Sequence, residues 1–515
     1  MKGGSGDVFK ALIPISPELM ENWKKYVRAW MTHKNPYTGM TWAEDPALYC
    51  VNLVNEDLLT GYWSKTPAAV KLYAQAFEKW KTEHNCRNAK MSNDDLKFKQ
   101  FLYEVQTKSL SEQRRFAREE LGMKALFTSM NHAVDPFQTI LRGRFDVVDN
   151  HLYHDHPSYP ERAWSLPSAF MQRSAIETYA TLPAKLMPTR VFGLPFLVTE
   201  YNYCYPNRYR SEAGPLMGGY ASLQDWDAIY RFAWAHDIRK IETQVRIEGF
   251  DIAGDPIAQL SDRITAVAFL RGDVKAAPRK YAINMSEKFF DTSEVSGSYP
   301  RDFLKLGLIA QIGSTLEASK TQRKQIQVFD SPGKLAPASV RDRLDAERWK
   351  EVLEGETAVS STGEIRLERK SRSLLLAVPR TESVTTGQNS FVGRFLNLDQ
   401  VSCFLTVAAI SLDKKPLESS RSILLLHLTN VNNSNSVFGN QQMTLLRSNG
   451  SLPYLLQRGS AVVTLKSPYD YRITALSADG TPLGIIQGRR SGNGFVFKVD
   501  TGCFKGGVMA YHLTR

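Results

Sequence analysis

Two apolar, strand-like segments of the sequence run into a glutamate, Glu56 after residues 48–55 and Glu200 after residues 194–199. Paired carboxyl groups suit reactions in which one carboxyl protonates a leaving oxygen while the other attacks or activates water. Hydrolysis of a glycosidic bond is such a reaction, because its oxocarbenium-like transition state needs both groups. The two glutamates are far apart in sequence, so they can meet only if parallel strands bring their carboxyl ends to one face, as in a (β/α)-barrel.

The N-terminal half alternates helical and strand patterns, which is typical of an α/β fold. Amphipathic spacing predicts helices over residues 18–32, 68–83, 93–120 and 257–269. Short apolar runs predict strands over residues 48–54, 124–128, 145–149, 196–199 and 228–234. We therefore expect a TIM-type (β/α)8 barrel domain in residues 1–276.

The pattern changes after about Ala277. Residues 277–356 form a mixed connecting segment in which we expect helices over residues 303–312 and 340–353. From residue 357 to 515, short apolar runs alternate with turn signals such as Asp-Lys-Lys-Pro and Asn-Asn-Ser-Asn. This alternation predicts an all-β sandwich domain.

The composition of the chain argues against several kinds of partner and site. The chain has 515 residues and a net charge of +12, but its basic residues are spread along it, so we expect no nucleic-acid partner. Its five cysteines form no CxxC pair, which argues against a disulfide framework and a zinc-thiolate site. No apolar run is long enough to span a bilayer, so we expect no membrane partner. The oligomeric state is not readable.

Polar residues at the ends of the predicted strands form an ordered series. In chain order they are Asn55-Glu56, Asn131-His132, His151 with Tyr153, Glu200 and Trp234. This order resembles the retaining glycoside hydrolases of the large cellulase-type superfamily, and family five most closely. The resemblance extends over roughly residues 17–277, and it implies that acid and nucleophile lie on barrel strands four and seven.

The resemblance implies a role for each residue of the catalytic pair. Glu56 would be the general acid and base, with a pKa raised by apolar surroundings and by a second carboxylate. Glu200 would be the nucleophile that forms a covalent glycosyl-enzyme. The reaction would need no cofactor or metal, and its substrate would be an oligosaccharide or polysaccharide with β-linkages.

The remaining residues of the series would bind the substrate. Asn55 would contact the sugar 2-hydroxyl, and Asn131 would lie beside it. His151 and Tyr153 share one face of their strand because side chains alternate with a period of two, and the tyrosine would point to the nucleophile. Trp234 would be the stacking floor for the sugar, with a core tryptophan as the alternative.

The sequence departs from this family at its start. Only 47 residues precede Leu48, whereas three βα units would need roughly 30 residues each. We therefore expect a barrel without its first three strands and a full-length protein that is secreted or periplasmic. The alternative function is a catalytically incomplete fragment that serves as a glycan-binding or interaction module.

A metal site is the rival interpretation of residues 151–156, His-Leu-Tyr-His-Asp-His. The stretch partly matches the His-x-His-x-Asp-His pattern of metallohydrolases, but its first spacing differs. Neutral imidazoles can bind zinc, yet the sequence offers no obvious further ligand. We therefore predict no metal, and the metallohydrolase stays the lesser alternative.

Overall fold

The computed structural model describes residues 6–291, 298–330 and 343–515. Helices and mostly parallel strands occupy the chain up to residue 330, where the strand at Ser168–Ala169 instead pairs antiparallel with one at Leu445–Ser448, and antiparallel strands dominate from residue 357 onward. The mixed α/β class and the β-rich C-terminal half are thus confirmed. The boundaries predicted at residues 276 and 356 stay predictions.

Thirteen α-helices are present in the described residues. They are α1 (Gly6–Leu12), α2 (Pro17–Met31), α3 (Leu59–Tyr62), α4 (Pro67–Glu83), α5 (Leu96–Arg115), α6 (Pro136–Arg142), α7 (Thr181–Leu186), α8 (Ala213–Leu223), α9 (Arg239–Glu242), α10 (Pro256–Phe269), α11 (Arg301–Lys305), α12 (Lys320–Gln325) and α13 (Arg343–Glu354). A π-helical turn, Phe116–Glu120, continues α5. The predicted helices over residues 18–32, 68–83 and 257–269 are confirmed, and the one over 93–120 is α5 with this turn.

Local sequence explains where the long helices begin. Helices α2, α4, α6 and α10 each start with a proline that follows a capping residue. The cap is Ser16, Thr66, Asp135 or Asp255, and its side-chain oxygen accepts a hydrogen bond from a backbone N–H of the first turn. Proline has no N–H to leave unpaired at this position, so both residues favour the same helix start.

Nine strands lie in the described part of the first 330 residues. They are β1 (Cys50–Asn52), β2 (Leu126–Thr128), β3 (Val148–His154), β4 (Ser168–Ala169), β5 (Phe196–Tyr203), β6 (Ala228–Arg231), β7 (Lys280–Met285), β8 (Gln311–Leu316) and β9 (Gln327–Phe329). All five predicted strands exist with shifted bounds. The largest shifts are at β3 and β5, which both continue past their predicted ends.

Parallel pairing brings the carboxyl ends of five strands to one edge. Strands β1 and β2 pair in parallel, as do β3 with β5 and β5 with β6. A parallel bridge between His132 and His151 joins the end of β2 to β3. The order is therefore β1-β2-β3-β5-β6, and residues that follow these strands lie along the same edge.

The connecting segment differs from its prediction. It contains a second parallel sheet with the order β8-β7-β9. The helix predicted over residues 303–312 is wrong in its second half, where the buried run that starts at Gln311 is strand β8. A short apolar run cannot be assigned to helix or strand by periodicity alone. The helix predicted over 340–353 is α13, and its first predicted residues lie outside the described ones.

The strands of the described residues form separate sheets, and a closed TIM barrel is not shown. Ser314 of β8 forms a parallel bridge with Val191, in the segment that leads into β5. The β8-β7-β9 sheet therefore lies beside the segment before β5. No helix in the described part of the chain is long and apolar enough to cross a membrane.

Eighteen strands complete the C-terminal half. They are β10 (Thr357–Val359), β11 (Ile365–Glu368), β12 (Ser373–Val378), β13 (Thr381–Thr386), β14 (Phe391–Val392), β15 (Leu396–Asp399), β16 (Leu405–Ser411), β17 (Ser422–Leu428), β18 (Val431–Ser434), β19 (Val437–Phe438), β20 (Leu445–Ser448), β21 (Ser451–Leu456), β22 (Ser460–Leu465), β23 (Arg472–Leu476), β24 (Pro482–Ile486), β25 (Gly488–Ser491), β26 (Gly494–Asp500) and β27 (Ala510–Thr514).

Two antiparallel sheets form the predicted sandwich. One sheet has nine strands in the order β10-β11-β12-β13-β16-β17-β27-β23-β24, and the other has five in the order β14-β15-β22-β26-β25. Val407 and Leu425 of the first sheet share a buried core with Val463 and Phe497 of the second. Alternate residues of the first sheet, such as Leu426, face the other way, toward α10.

The two halves of the chain are joined by buried polar contacts as well as by apolar ones. The Arg210 guanidinium donates to Asp255 at 2.8 Å and to the backbone carbonyl of Val431 at 2.8 Å. Both side chains of this ion pair are almost fully buried. Breaking such a pair leaves an unpaired buried charge, so it fixes how the helices meet the sandwich.

A buried carboxyl beside this junction makes stability depend on pH. Glu212 accepts hydrogen bonds from Ser174 Oγ at 2.6 Å and the Ala175 N–H at 2.5 Å, but burial raises its pKa to about 8. The folded protein therefore binds this proton more tightly than the unfolded chain, whose carboxyl titrates near 4.5. The contribution of Glu212 to stability is fully present below pH 4.5 and is lost as the pH rises to about 8.

We expect Glu212→Gln to flatten the decrease in the free energy of unfolding between pH 4.5 and 8. Urea unfolding across this range measures it, with the exposed Glu418→Gln as matched control. Parallel pH profiles for wild type and Glu212→Gln would contradict the assignment.

Candidate active site

Glu56 lies in the turn after β1, four residues beyond the strand's end, so the prediction that it ends the strand is corrected. Its φ of 54° is in the left-handed region, which non-glycine residues rarely adopt. Asn131 holds this conformation, because its side-chain oxygen accepts from the Glu56 N–H at 2.8 Å and its amide donates to Asn55 at 2.9 Å. The predicted residues Asn55, Glu56 and Asn131 are thus brought together.

Asp57, the next residue, anchors the same turn to the segment that follows β2. Its buried carboxylate accepts hydrogen bonds from Gln106 at 2.9 Å, Ser129 at 2.8 Å and the Met130 N–H at 2.9 Å. Burial raises the pKa of Asp57 to about 6, against the effect of these donors. Asp57 ties the turn of β1 to the segment that follows β2.

A buried arginine shapes the segment that carries Asn131 and His132. The Arg142 guanidinium donates to the backbone carbonyls of Met130, His132 and Ala133 at 2.7 to 2.9 Å. Met130 and Ala133 both have positive φ, 62° and 69°. Two left-handed residues within four positions are costly, and such strain persists only where surrounding contacts enforce it.

His151 controls the charge of Glu56. This fully buried residue of β3 places Nε2 2.9 Å from Glu56 Oε1. Mainly because of this hydrogen bond, the pKa of Glu56 is lowered to about 2, and His132 and Lys10 contribute further. The sequence-based expectation of a raised pKa is therefore wrong for the free protein, because the carboxyl faces polar groups and is about one-third exposed.

Two further groups beside Glu56 were not assigned from sequence. Lys10 of α1 places Nζ 3.5 Å from Glu56 Oε2, and His132 places Nδ1 3.9 Å from Oε1. Burial is the main reason that the pKa of His132 is lowered to about 4. The position of His132 beside Asn131 is a sequence signal for it, whereas Lys10 lies on a helix with no pattern that points to the site.

Tyr153 and Glu200 meet across the paired strands β3 and β5. The Tyr153 hydroxyl donates a short hydrogen bond to Glu200 Oε2. Burial raises the pKa of this tyrosine well above its ordinary value, so it stays a neutral donor. Glu200 lies within β5, which continues to Tyr203, and this corrects the prediction that it ends its strand.

The two carboxylates belong to one connected group. The rings of His151 and Tyr153 have centroids 6.3 Å apart, so Glu56 and Glu200 are each bonded to one of two neighbouring side chains on β3. The expectation that His151 and Tyr153 share a face agrees with this arrangement. Six of the seven predicted site residues are thereby accounted for.

Trp234 is the predicted residue that the described contacts do not join to this group. It follows β6, and 52% of its surface is exposed. Phe232, two residues earlier, has its ring centroid 6.0 Å from that of Tyr153, and Phe250 lies 4.9 Å from the same ring. The role of Trp234 as sugar floor stays a prediction, and these two phenylalanines are aromatic neighbours that sequence reasoning missed.

The histidine-rich stretch 151–156 does not converge on one point. His154 Nε2 is 2.8 Å from the Arg173 carbonyl, and His156 Nδ1 is 2.7 Å from the Pro157 carbonyl. The group of ligand type in the described residues is instead Glu56, His132 and His151, whose ligand atoms all lie within 4.8 Å of one another. These three residues come from three different segments.

The comparisons with known proteins leave the family open. No protein-family model and no curated protein matches the sequence. A solved structure that matches is the structure of rhamnosidase from Novosphingobium sp. PP1Y, with a TM-score of 0.23 and 9% sequence identity. The match covers 81% of this chain but only 39% of that chain.

We expect Asp57→Asn to destabilise the protein by about 1–3 kcal/mol, because the substituted amide offers a single acceptor to three buried donors. Urea unfolding measures the loss, with the exposed Asp94→Asn as matched control. Equal stability of Asp57→Asn and wild type would show that Asp57 does not anchor the turn.

Proposed function

We propose that this protein is a glycoside hydrolase that cleaves β-linked glycans by a retaining double displacement, without a cofactor. The observation that carries the proposal is the pair of carboxylates, one in the turn after β1 and one within β5, each oriented by a side chain of β3: His151 bonds Glu56 and Tyr153 bonds Glu200. The order of these motifs relates the site to the cellulase-type family, and the parallel strands around it are compatible with part of a barrel.

Glu200 is the proposed nucleophile. It attacks the anomeric carbon, the glycosidic C–O bond breaks, and a covalent glycosyl-enzyme forms. Tyr153 remains neutral and donates to one oxygen of Glu200, which fixes the carboxylate's orientation and leaves the other oxygen for attack. Water then hydrolyses this ester in the second step, with Glu56 as the base.

Glu56 is the proposed general acid and base, although it is ionised in the free protein. A bound sugar would exclude water from the partly exposed carboxyl and displace the Lys10 ammonium, whose contacts with Glu56 Oε2 and the Tyr62 hydroxyl are long, 3.5 and 3.4 Å. Both changes raise a carboxyl pKa. The second half of the reaction needs the ionised form, which the free protein already has.

Asn55, Asn131 and Trp234 complete the proposed substrate site. Asn131 keeps the turn of Asn55 and Glu56 in its left-handed conformation, so it acts as a positioning residue. Asn55 would bind the sugar hydroxyl next to the anomeric carbon. Trp234 is exposed enough to stack on a sugar ring.

A glycan-binding module without turnover is the second candidate function. The ion pair between Lys10 and Glu56 and the low pKa of Glu56 favour it, since a resting hydrolase with this geometry lacks its protonated acid. Such a module would still bind oligosaccharides through the aromatic and amide side chains around Glu56 and Glu200.

Two variants test the hydrolase and separate the two carboxylate roles. We expect Glu200→Gln to lose about a thousandfold or more of the turnover of nitrophenyl β-glycosides and β-glycans, because no covalent intermediate can form. We expect Glu56→Gln to lose about 10²–10⁴-fold on glycans but far less in the first step with a dinitrophenyl glycoside, whose leaving group needs no proton.

Initial rates, burst amplitudes and melting curves are measured on the same samples, with Glu418→Gln as matched control. Loss of turnover with unchanged melting supports the proposal. Equal turnover in wild type and Glu200→Gln would contradict it, and a chain that melts cooperatively and binds oligosaccharides by calorimetry without cleaving them would support the binding module.

A further inference from the structure

Glu56, His132 and His151 form a ligand set that the hydrolase mechanism does not require as a set. The Oε1 atom of Glu56 lies 2.9 Å from Nε2 of His151 and 3.9 Å from Nδ1 of His132. A zinc ion holds nitrogen and oxygen ligands at about 2.0–2.2 Å, which places neighbouring ligand atoms roughly 3–3.5 Å apart. Small rotations of the His132 and Glu56 side chains would therefore bring all three atoms to metal-binding distances.

An unsatisfied polar atom points to a missing partner in this cluster. Nδ1 of His132 is a buried atom on a partly exposed side chain, it has no hydrogen-bond partner among the described residues, and it lies 3.9 Å from Glu56 Oε1. Buried polar atoms without a partner are rare in folded proteins and each requires an explanation. A metal ion between His132 and Glu56 would satisfy this nitrogen.

Hydrogen bonds to the backbone of all three ligand residues already hold them in place. The His151 N–H donates to the Asn131 carbonyl at 2.9 Å, and Asn131 accepts from the Glu56 N–H at 2.8 Å. Arg142 fixes the His132 carbonyl from the other side. A preorganised set loses little conformational entropy when an ion binds.

We propose that Glu56, His132 and His151 bind a divalent transition-metal ion of the zinc class, with a fourth position left to solvent, since the side chains of Glu56 and His132 are both partly exposed. Two imidazoles and one carboxylate are ligands that suit Zn²⁺ better than Mg²⁺ or Ca²⁺, which prefer oxygen. The Lys10 ammonium, 3.5 Å from the other oxygen of Glu56, opposes the cation and sets its affinity.

Metal binding would switch off the hydrolase, and this consequence rests on the proposed function. An ion bound to Glu56 withdraws the carboxylate from proton transfer, so neither protonation of the leaving oxygen nor activation of water can proceed through it. The ion therefore acts as an inhibitor that competes with the substrate for the Glu56 carboxylate.

Calorimetric titration of the chelator-treated full chain with ZnCl₂, without substrate, tests the site. We expect one binding event in the wild type that His132→Ala weakens at least about tenfold, since one of three ligands is lost. Lys10→Met should instead tighten binding, because it removes a nearby positive charge. His33→Ala, an exposed histidine outside the cluster, should bind as wild type does.

Melting curves of the four proteins check that His132→Ala is folded. Lys10→Met should raise the zinc affinity, and a misfolded variant could not produce such an increase. Unchanged zinc affinity in both variants would overturn the site. Zinc binding without inhibition of an active hydrolase would overturn the competition. If no glycoside is cleaved at all, the proposed function fails, while the calorimetry still decides whether the metal site exists.

Discussion

The site depends on one constraint, the attachment of the turn after β1 to the segment after β2. Asp57 accepts from the Met130 N–H below the turn, and Asn131 accepts from the Glu56 N–H above it. Arg142 binds the carbonyls of the second segment, so both strained stretches are fixed by buried polar groups. Without these bonds, the left-handed conformation of Glu56 would relax and its carboxyl would turn away from β3.

The same contact that orients Glu56 also decides its charge. The hydrogen bond from His151 stabilises the ionised carboxylate, and Lys10 adds a positive neighbour. In the free protein, these neighbours keep Glu56 ionised, which suits a base or a metal ligand. Glu56 could serve as a general acid only after a bound substrate had changed its surroundings. This electrostatic balance links the hydrolase proposal to the metal proposal, since substrate and cation would compete for one oxygen.

The β-sandwich supports the parallel strands of the site indirectly, through helices. Its nine-stranded sheet covers α10, and the Arg210–Asp255 pair, together with the bond to Val431, locks the start of α10 to the sandwich. Helix α8 packs against α10 through glycines, where an added Cβ at Gly214 would lie 2.0 Å from the Ser261 carbonyl oxygen. Helix α8 shares a buried core with Phe196 and Val198 of β5, and α10 shares one with the nine-stranded sheet, so these helices connect the parallel strands to the sandwich.

Sequence by itself predicted the long helices and the five parallel strands of the first sheets, and it named the residues of the candidate site. Apolar runs marked these strands and amphipathic spacing marked the helices that became α2, α4 and α10, because both signals are local. Strand β8 was not predicted, because the periodicity of a short buried run does not distinguish a strand from a helix. Tertiary structure alone decided that Lys10 and His132 join Glu56 and that the pKa of Glu56 falls, because a pKa depends on the charges and donors that folding brings near.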